Sequence, residues 1–429
     1  DPDGMRYQAA CAAVRLADDD DRFALIQFRL SATVVVPVTR IGGNREALLE
    51  AIGVPLPDSV PDKTSYWSAM RELGVLLSSL SETCDVCVLF ETDDVNWSDD
   101  FNESDPEGNP IPDGRGMAQA LAASIPAGKV RRLMFHAVRL YDPDRDMSTR
   151  NAVDLAQIVD ELGGEAFLAT DPSAVVDAAV RLAAVSKGYS RRRIPGGEYP
   201  PAAIALRSGV DRLVALADAP RPAFPIILVV RYPGEPRLLD LSASNVLRWP
   251  MSDSFVPPTE IRPRIDLLAV DRPASGMYEF LFGKNTRGRI REMMIRRVLR
   301  WETVPGKPAS VVYRRNPFVV ATRFVDEPAA VAALVATSRM KAVIREANRP
   351  GPPLSVTMVP NLAPDGRSAT FEARLPDGLD IHPDPDTGST PAVARASISF
   401  ELSADYGDGH EWLYELPPVR FEVHRVSGR

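Results

Sequence analysis

Two oxygen-bearing residues stand at the ends of elements in the first part of this 429-residue chain. Thr64 precedes an apolar helical run, and Asp93 follows an apolar strand-like run, with Asp94 adding carboxylate density. Taken singly, each reads as local structure, because Thr and Asp commonly cap helices or close loops. A further set of oxygens is the D-x-S-x-S of Asp240-Leu241-Ser242-Ala243-Ser244. It follows Gly234-Glu235-Pro236-Arg237 and leads into Asn245-Val246-Leu247-Arg248-Trp249-Pro250, which has no helical pattern, so it reads as a turn between strands. The acidic stretch holding Asp99, Asp100, Glu103, Asp105 and Glu107 reads as a solvated loop, with Ca²⁺ or a basic partner as its functional alternative.

Conventional catalytic groupings are weak. The four histidines (His136, His382, His410, His424) show no metal-ligand spacing, and His136 falls in an apolar strand where a core role is expected. Cys84 and Cys87 form a C-x-x-C, but they point to opposite faces of a strand and no second pair completes a tetrahedral site. With Cys11 they make three cysteines, which rules out a disulfide-stapled scaffold. No G-x-S-x-G elbow and no phosphate-cradling loop is present. Asp271 with Glu279, or Asp405 with Asp408, would supply carboxylate pairs, but nothing places either pair in a cleft. The expectation is a protein without enzymatic activity.

The elements that must position Thr64 and Asp93 alternate between helix and strand. Met5 to Leu16 has small apolar residues at helical spacing; Phe23 to Phe28 and the β-branched Thr33 to Val38 read as strands. Glu46 to Ile52 and Tyr66 to Leu80 read as helices, and Val86 to Phe90 as a strand covered on both faces. The Gly-, Pro- and Asn-rich segment from Asp93 to Arg115 reads as a long loop. Arg131 to Leu140 is the next strand, and Asn151 to Leu162 a helix stopped by Gly163-Gly164. Glu165 to Ala169 is a last short strand and Pro172 to Val185 a last helix.

This order, with its Asn44-Arg45-Glu46 helix start, its lone Thr64 before a helix, and its Thr92-Asp93-Asp94 after a buried strand, resembles the von Willebrand factor type A family. The "HAV" of the later strand and the "LGGEAF" before the final helix are similar to the family's closing half, so the resemblance covers about residues 1–190. It implies an α/β doubly wound, Rossmann-like fold with a metal-ion-dependent adhesion site. In that site a D-x-S-x-S loop, a Thr and an Asp hold a divalent cation, and an open position takes an acidic residue of a partner protein. Thr64 and Asp93 match the second and third elements. The usual T-D-G is Thr92-Asp93-Asp94 here, and Asp62-Lys63 replace the glycines that commonly precede the Thr.

The family's D-x-S-x-S loop is followed by something like D-P-D-G, an apolar residue and Arg, and this chain opens with Asp1-Pro2-Asp3-Gly4-Met5-Arg6. The resemblance therefore implies that the first strand and its loop lie upstream of Asp1. The implied cofactor is Mg²⁺, or Mn²⁺ or Ca²⁺, conditional on that loop; oxygen donors and octahedral geometry favour Mg²⁺.

Ser190-Arg191-Arg192-Arg193-Ile194-Pro195-Gly196-Gly197 reads as a linker. Beyond it, short alternating or β-branched runs are divided by Pro, Gly, Asn and Asp, which favours two β-sandwich modules at 191–305 and 306–429. "DRPASGMYEF" and "VPNLAPDGRSATFEARLPDG" are similar to immunoglobulin- or fibronectin-like modules appended to bacterial type A domains. Gly283 to Arg300 breaks the pattern and reads as a helix or a charged edge strand.

Composition bounds the partners. Apolar content of 45% and charged content of 25% are those of a globular protein. A net charge of −8 argues against nonspecific nucleic-acid binding, and no run of about 18 apolar residues is present to span a membrane. The expected partner is a protein, and a secreted or cell-surface location is favoured over a cytoplasmic one. The alternatives are an intracellular adaptor for an AAA+ ATPase of the MoxR or chelatase kind, or the recognition arm of a longer enzyme.

Overall fold

The computed structural model describes residues 5–29, 31–52, 65–92, 110–140, 150–169, 172–198, 202–206, 210–219, 226–231, 236–238, 246–250, 264–282, 289–297, 300–346, 353–380, 388, 392–405 and 411–425. The chain divides into two compact units, Asp1–Ser186 and Lys187–Asp253 with Pro257–Arg429.

In the first unit α1 (Met5–Leu16) leads into the hairpin of β1 (Arg22–Phe28) and β2 (Ala32–Arg40). Then follow α2 (Arg45–Ile52), α3 (Tyr66–Ser78), β3 (Cys84–Thr92), α4 (Gly114–Ser124), β4 (Val130–Leu140), α5 (Arg150–Leu162), β5 (Glu165–Ala169) and α6 (Pro172–Lys187). Strands β3, β4 and β5 form a parallel sheet in that order, as strands joined through helices must. The hairpin is covered on both sides. Phe23, Leu25 and Val36 pack with Cys11 and Val14 of α1 and Leu48 and Ile52 of α2. Ile26, Phe28 and Val38 instead join the core of α3, α4 and α5, whose apolar stripes include Met70, Leu73, Met117, Leu121, Leu155 and Ile158.

Helix α4 falls in and beyond the segment that reads as a loop. Asp113 caps it, its side chain accepting from Gly116 N at 2.8 Å, and Met117 and Leu121 bury one face at i, i+4. Two glycines in the first turn hide this start from a propensity reading. Gly163, at φ +68°, ends α5 in the left-handed conformation that the double glycine predicts.

The second unit is built of antiparallel strands. Its first half comprises β6 (Tyr189–Glu198), β7 (Ala202–Leu206), β8 (Val210–Ala219), β9 (Ile226–Arg231), β10 (Pro236–Leu238), β11 (Val246–Pro250), β12 (Arg264–Asp271), β13 (Gly276–Phe282) and β14 (Arg289–Arg297). Sheets of order β11-β12-β8-β14-β6 and β10-β9-β13-β7 share a core of Leu213, Ala215, Leu268, Met293 and Ile295 against Ile204, Leu206 and Tyr278.

The second half comprises β15 (Arg300–Thr303), β16 (Val311–Tyr313), β17 (Phe318–Val325), α7 (Pro328–Thr337), β18 (Ser338–Glu346), β19 (Leu354–Leu362), β20 (Ser368–Leu375), β21 (Val393–Asp405) and β22 (Glu411–His424). Strict alternation drives its packing: Ala394, Ala396, Ile398, Phe400, Leu402 and Ala404 of β21 are buried, and the residues between them are not. Strand β19 pairs with β18 through Leu354–Met358 and with β20 through Val359–Leu362, which joins the two sides of this half.

Two sequence expectations are corrected here. The Ser190–Gly197 linker is part of β6, which pairs with β14 and, at Ser190 and Arg191, with β22. Arg191 and Arg192 tolerate the interior because both have acceptors: Arg191 makes a two-pronged pair with Glu292, and Arg192 donates to Ala203 O at 3.3 Å. The basic stretch from Gly283 holds β14, a central strand between β8 and β6 with Met293 and Met294 fully buried, not an edge strand or a helix.

Candidate functional site

The start of α3 and the end of β3 are drawn together by short-range chemistry. Ser65 is the N-cap of α3, its hydroxyl accepting from Ser68 N at 3.2 Å, so capping falls to Ser65 and not to Thr64. The next residue, Tyr66, is fully buried, and its hydroxyl shares a hydrogen bond of 3.1 Å with the Thr92 hydroxyl at the last position of β3. Thr92 is itself 2% exposed. The Tyr66 ring lies edge-on to Phe90 at 5.3 Å between centroids, and Phe90 in turn meets Phe135 of β4 at 5.8 Å.

The C-terminal end of β1 reaches the same place. Ser65 N donates to Arg29 O at 2.7 Å, Ala32 N donates to the Ser68 hydroxyl at 2.7 Å, and the Phe28 ring lies 4.8 Å from that of Phe90. The C-terminal ends of β1 and β3 therefore converge on the N-terminus of α3. At the opposite end of β3, Arg131 holds Asp85 in a two-pronged pair of 2.8 and 3.0 Å, and that hydrogen bonding keeps the Asp85 carboxyl below its ordinary range. That pair is open to solvent and contributes little to stability.

Thr64 and Asp93 lie outside the described residues, as do the 240–244 D-x-S-x-S and the acidic run of 99–107. Their nearest described neighbours are Ser65 and Thr92. The Tyr66–Thr92 bond is the feature of this corner that the sequence reading lacks. Two hydroxyls 26 residues apart carry no local signal of pairing. Of the other singled-out residues, His136 is buried in β4 with its ring 5.8 Å from Phe167, a core position. Cys84 is half-buried and packs on the core, and Cys87 is exposed. Among the described residues no three His, Cys, Asp or Glu side chains are grouped so as to hold a metal ion, and no helix is long and apolar enough to cross a membrane.

No known family description and no curated protein matches the sequence. Solved structures similar to this chain include one described as von Willebrand factor type A from Catenulispora acidiphila, at 12% identity and a TM-score of 0.32. It covers 99% of this chain, which in turn spans only 62% of that structure's length. An aerotolerance-related membrane protein from Bacteroides fragilis covers 42% of this chain and 86% of its own, at 12% identity and a TM-score of 0.30. The conserved hypothetical protein BatB from Bacteroides thetaiotaomicron covers 41% and 84%, with the same identity and TM-score.

Proposed function

We propose that this chain is a non-enzymatic protein-binding molecule whose first unit is doubly wound and takes its ligand at the C-terminal ends of its strands. Thr64 and Asp93 supply oxygen ligands to a divalent cation there, Mg²⁺ before Mn²⁺ or Ca²⁺, on the condition that a D-x-S-x-S loop outside the given residues completes the shell. An acidic side chain of the partner protein takes the open position. The observation that carries this reading is the buried Tyr66–Thr92 hydrogen bond. It ties together the residue two places after Thr64 and the residue just before Asp93, at the edge of an α/β sheet where such folds place ligands.

The donor set fits the ion. A hydroxyl and a carboxylate are hard oxygen donors, and hard cations with several retained waters prefer them. Helices on both faces of the β1–β2 hairpin, α1 and α2 on one and α3 on the other, support the doubly wound arrangement. The antiparallel second unit serves as a spacer or as a second contact surface, with the halves acting as sandwich modules. A secreted or cell-surface location goes with this role.

The test is calorimetric titration of Mg²⁺ into the natural protein with whatever region precedes Asp1. Asp93→Ala and Thr64→Ala should each weaken binding at least as much as loss of an outer-shell partner does, roughly tenfold or more. An Asp93→Ala protein that binds Mg²⁺ as the wild type does overturns the metal reading.

A further inference from the structure

In the second half, strands β22, β21 and β18 lie side by side, and their pairing register fixes what stands on each face. Ala394, Ala396 and Ile398 of β21, Phe421 and Val423 of β22, and Ala342 and Ile344 of β18 belong to the core. Alternation therefore sends Arg395, Ser397 and Ser399, Arg420, Glu422 and His424, and Val343 and Arg345 to the other face. In register, Ser397 lies directly between Arg345 on one side and Arg420 on the other. Arg395, two residues before Ser397, stands diagonally from both. Three arginines thus surround one small hydroxyl residue, Arg345 and Arg420 being two interstrand spacings apart, about 10 Å.

Like charges on neighbouring strands repel, so this grouping is unfavourable by itself. Arg395 and Arg420 are exposed and Arg345 is half-buried. Although Arg420 is exposed as a residue, crowding by protein atoms takes water from its guanidinium, and Arg395 adds like charge. Together they hold it below the ordinary range of arginine, at about 10. Glu422 borders the cluster opposite Arg395 and shares a hydrogen bond of 2.7 Å with His424 Nε2. Further along the face Glu401 stands between Lys341 and Glu415. The three arginines are a local basic spot on a chain of net charge −8. A guanidinium carries five donors, so an arginine with a partner inside the protein is able to donate to a ligand as well.

We infer that Arg345, Arg395 and Arg420, with Ser397 as the floor between them, bind a phosphate group, free or at the end of a monoester. The planar forks of arginine match phosphate oxygens two at a time, which a lysine does not. A tetrahedral dianion turns oxygens toward all three side chains, whereas a carboxylate has two oxygens in one plane. Its charge also offsets the repulsion among the arginines. The site lies in the second unit and is independent of the metal reading, so its test runs in chelator.

The probes are inorganic phosphate and phenyl phosphate, titrated calorimetrically into the whole chain at low salt, with acetate as control. Expected is saturable binding of one phosphate per chain and none of acetate. Arg345→Gln and Arg420→Gln should each weaken it roughly tenfold or more, the scale of one charge-assisted hydrogen bond. Arg395→Gln, at an exposed position, gives the same test should either of these fail to fold. Arg339→Gln, at the far end of β18, should leave binding unchanged. Binding of both probes assigns the site to a monoester's terminal group, binding of the inorganic ion alone assigns it to the free ion, and either sustains the inference. Absence of saturable binding at millimolar phosphate overturns it. So does an equal loss in Arg339→Gln, which would show diffuse attraction to the whole face in place of a site.

Discussion

At the scale of single residues, the corner beside Asp93 is organised by hydroxyls, not by charge. The Tyr66 and Thr92 hydroxyls share a hydrogen bond inside an aromatic cluster of Phe28, Phe90 and Phe135, where an unmade hydrogen bond is costly. Tyr66→Phe keeps the ring packing and removes one partner. It is expected to lower the stability of the first unit by about 1 kcal/mol. Urea unfolding followed by exchange at β3 measures this, and an unchanged midpoint would show that the bond makes no net contribution. The same substitution changes neither Thr64 nor Asp93 themselves, so Mg²⁺ titration of the variant separates support of the corner from direct ligation.

At the scale of elements, close backbone approach decides how the first unit is assembled. Gly164 sits between α5 and β5, and a Cβ there would overlap the carbonyl oxygen of Phe135 in β4. Its neighbour Gly163 adopts a positive φ that other residues rarely take, so the Gly163-Gly164 pair does two different things. Gly164→Ala should push β5 away from β4 and destabilise the first unit by about 1–3 kcal/mol or more. Thermal unfolding checks this, and a variant as stable as the wild type would show that the turn relaxes freely.

The sequence made Gly163 legible, because a double glycine after an amphipathic helix is a C-cap signal. It did not reveal the approach at Gly164, because Phe135 is far away in the chain. Helix α7 was also hidden: PAAVAALVAT is short, lies among strands, and buries only Val331 and Leu334. Strand β6 was misread as a linker for the opposite reason. Its run of arginines looks solvated until Glu292 and Glu415 are brought beside Arg191.

At the scale of the molecule, the second unit is continuous across its halves. Strand β22 completes the core of the second half through Tyr414, Leu416, Phe421 and Val423. It also places Trp412, fully buried, in the core of the first half with Leu213, Met293 and Tyr278. Trp412→Ala removes a large side chain from that core and is expected to cost about 3–5 kcal/mol. Because the same strand pairs with β6 and β21, exchange should accelerate in β8 and in β18 alike. Acceleration limited to β8 would show that the halves unfold independently.

Local pattern by itself determined most of the elements: the alternation that makes β20 and β21, the apolar runs of β3 and β4, and the spacing that makes α3 and α5 amphipathic. These depend on neighbours one to four residues apart, which the chain order states directly. Tertiary structure alone decided that Tyr66 reaches Thr92, that arginines line a central strand, and that the C-terminal ends of β1 and β3 meet at the start of one helix. Each of these rests on partners dozens of residues distant. Their meeting is set by packing, and no local period encodes it.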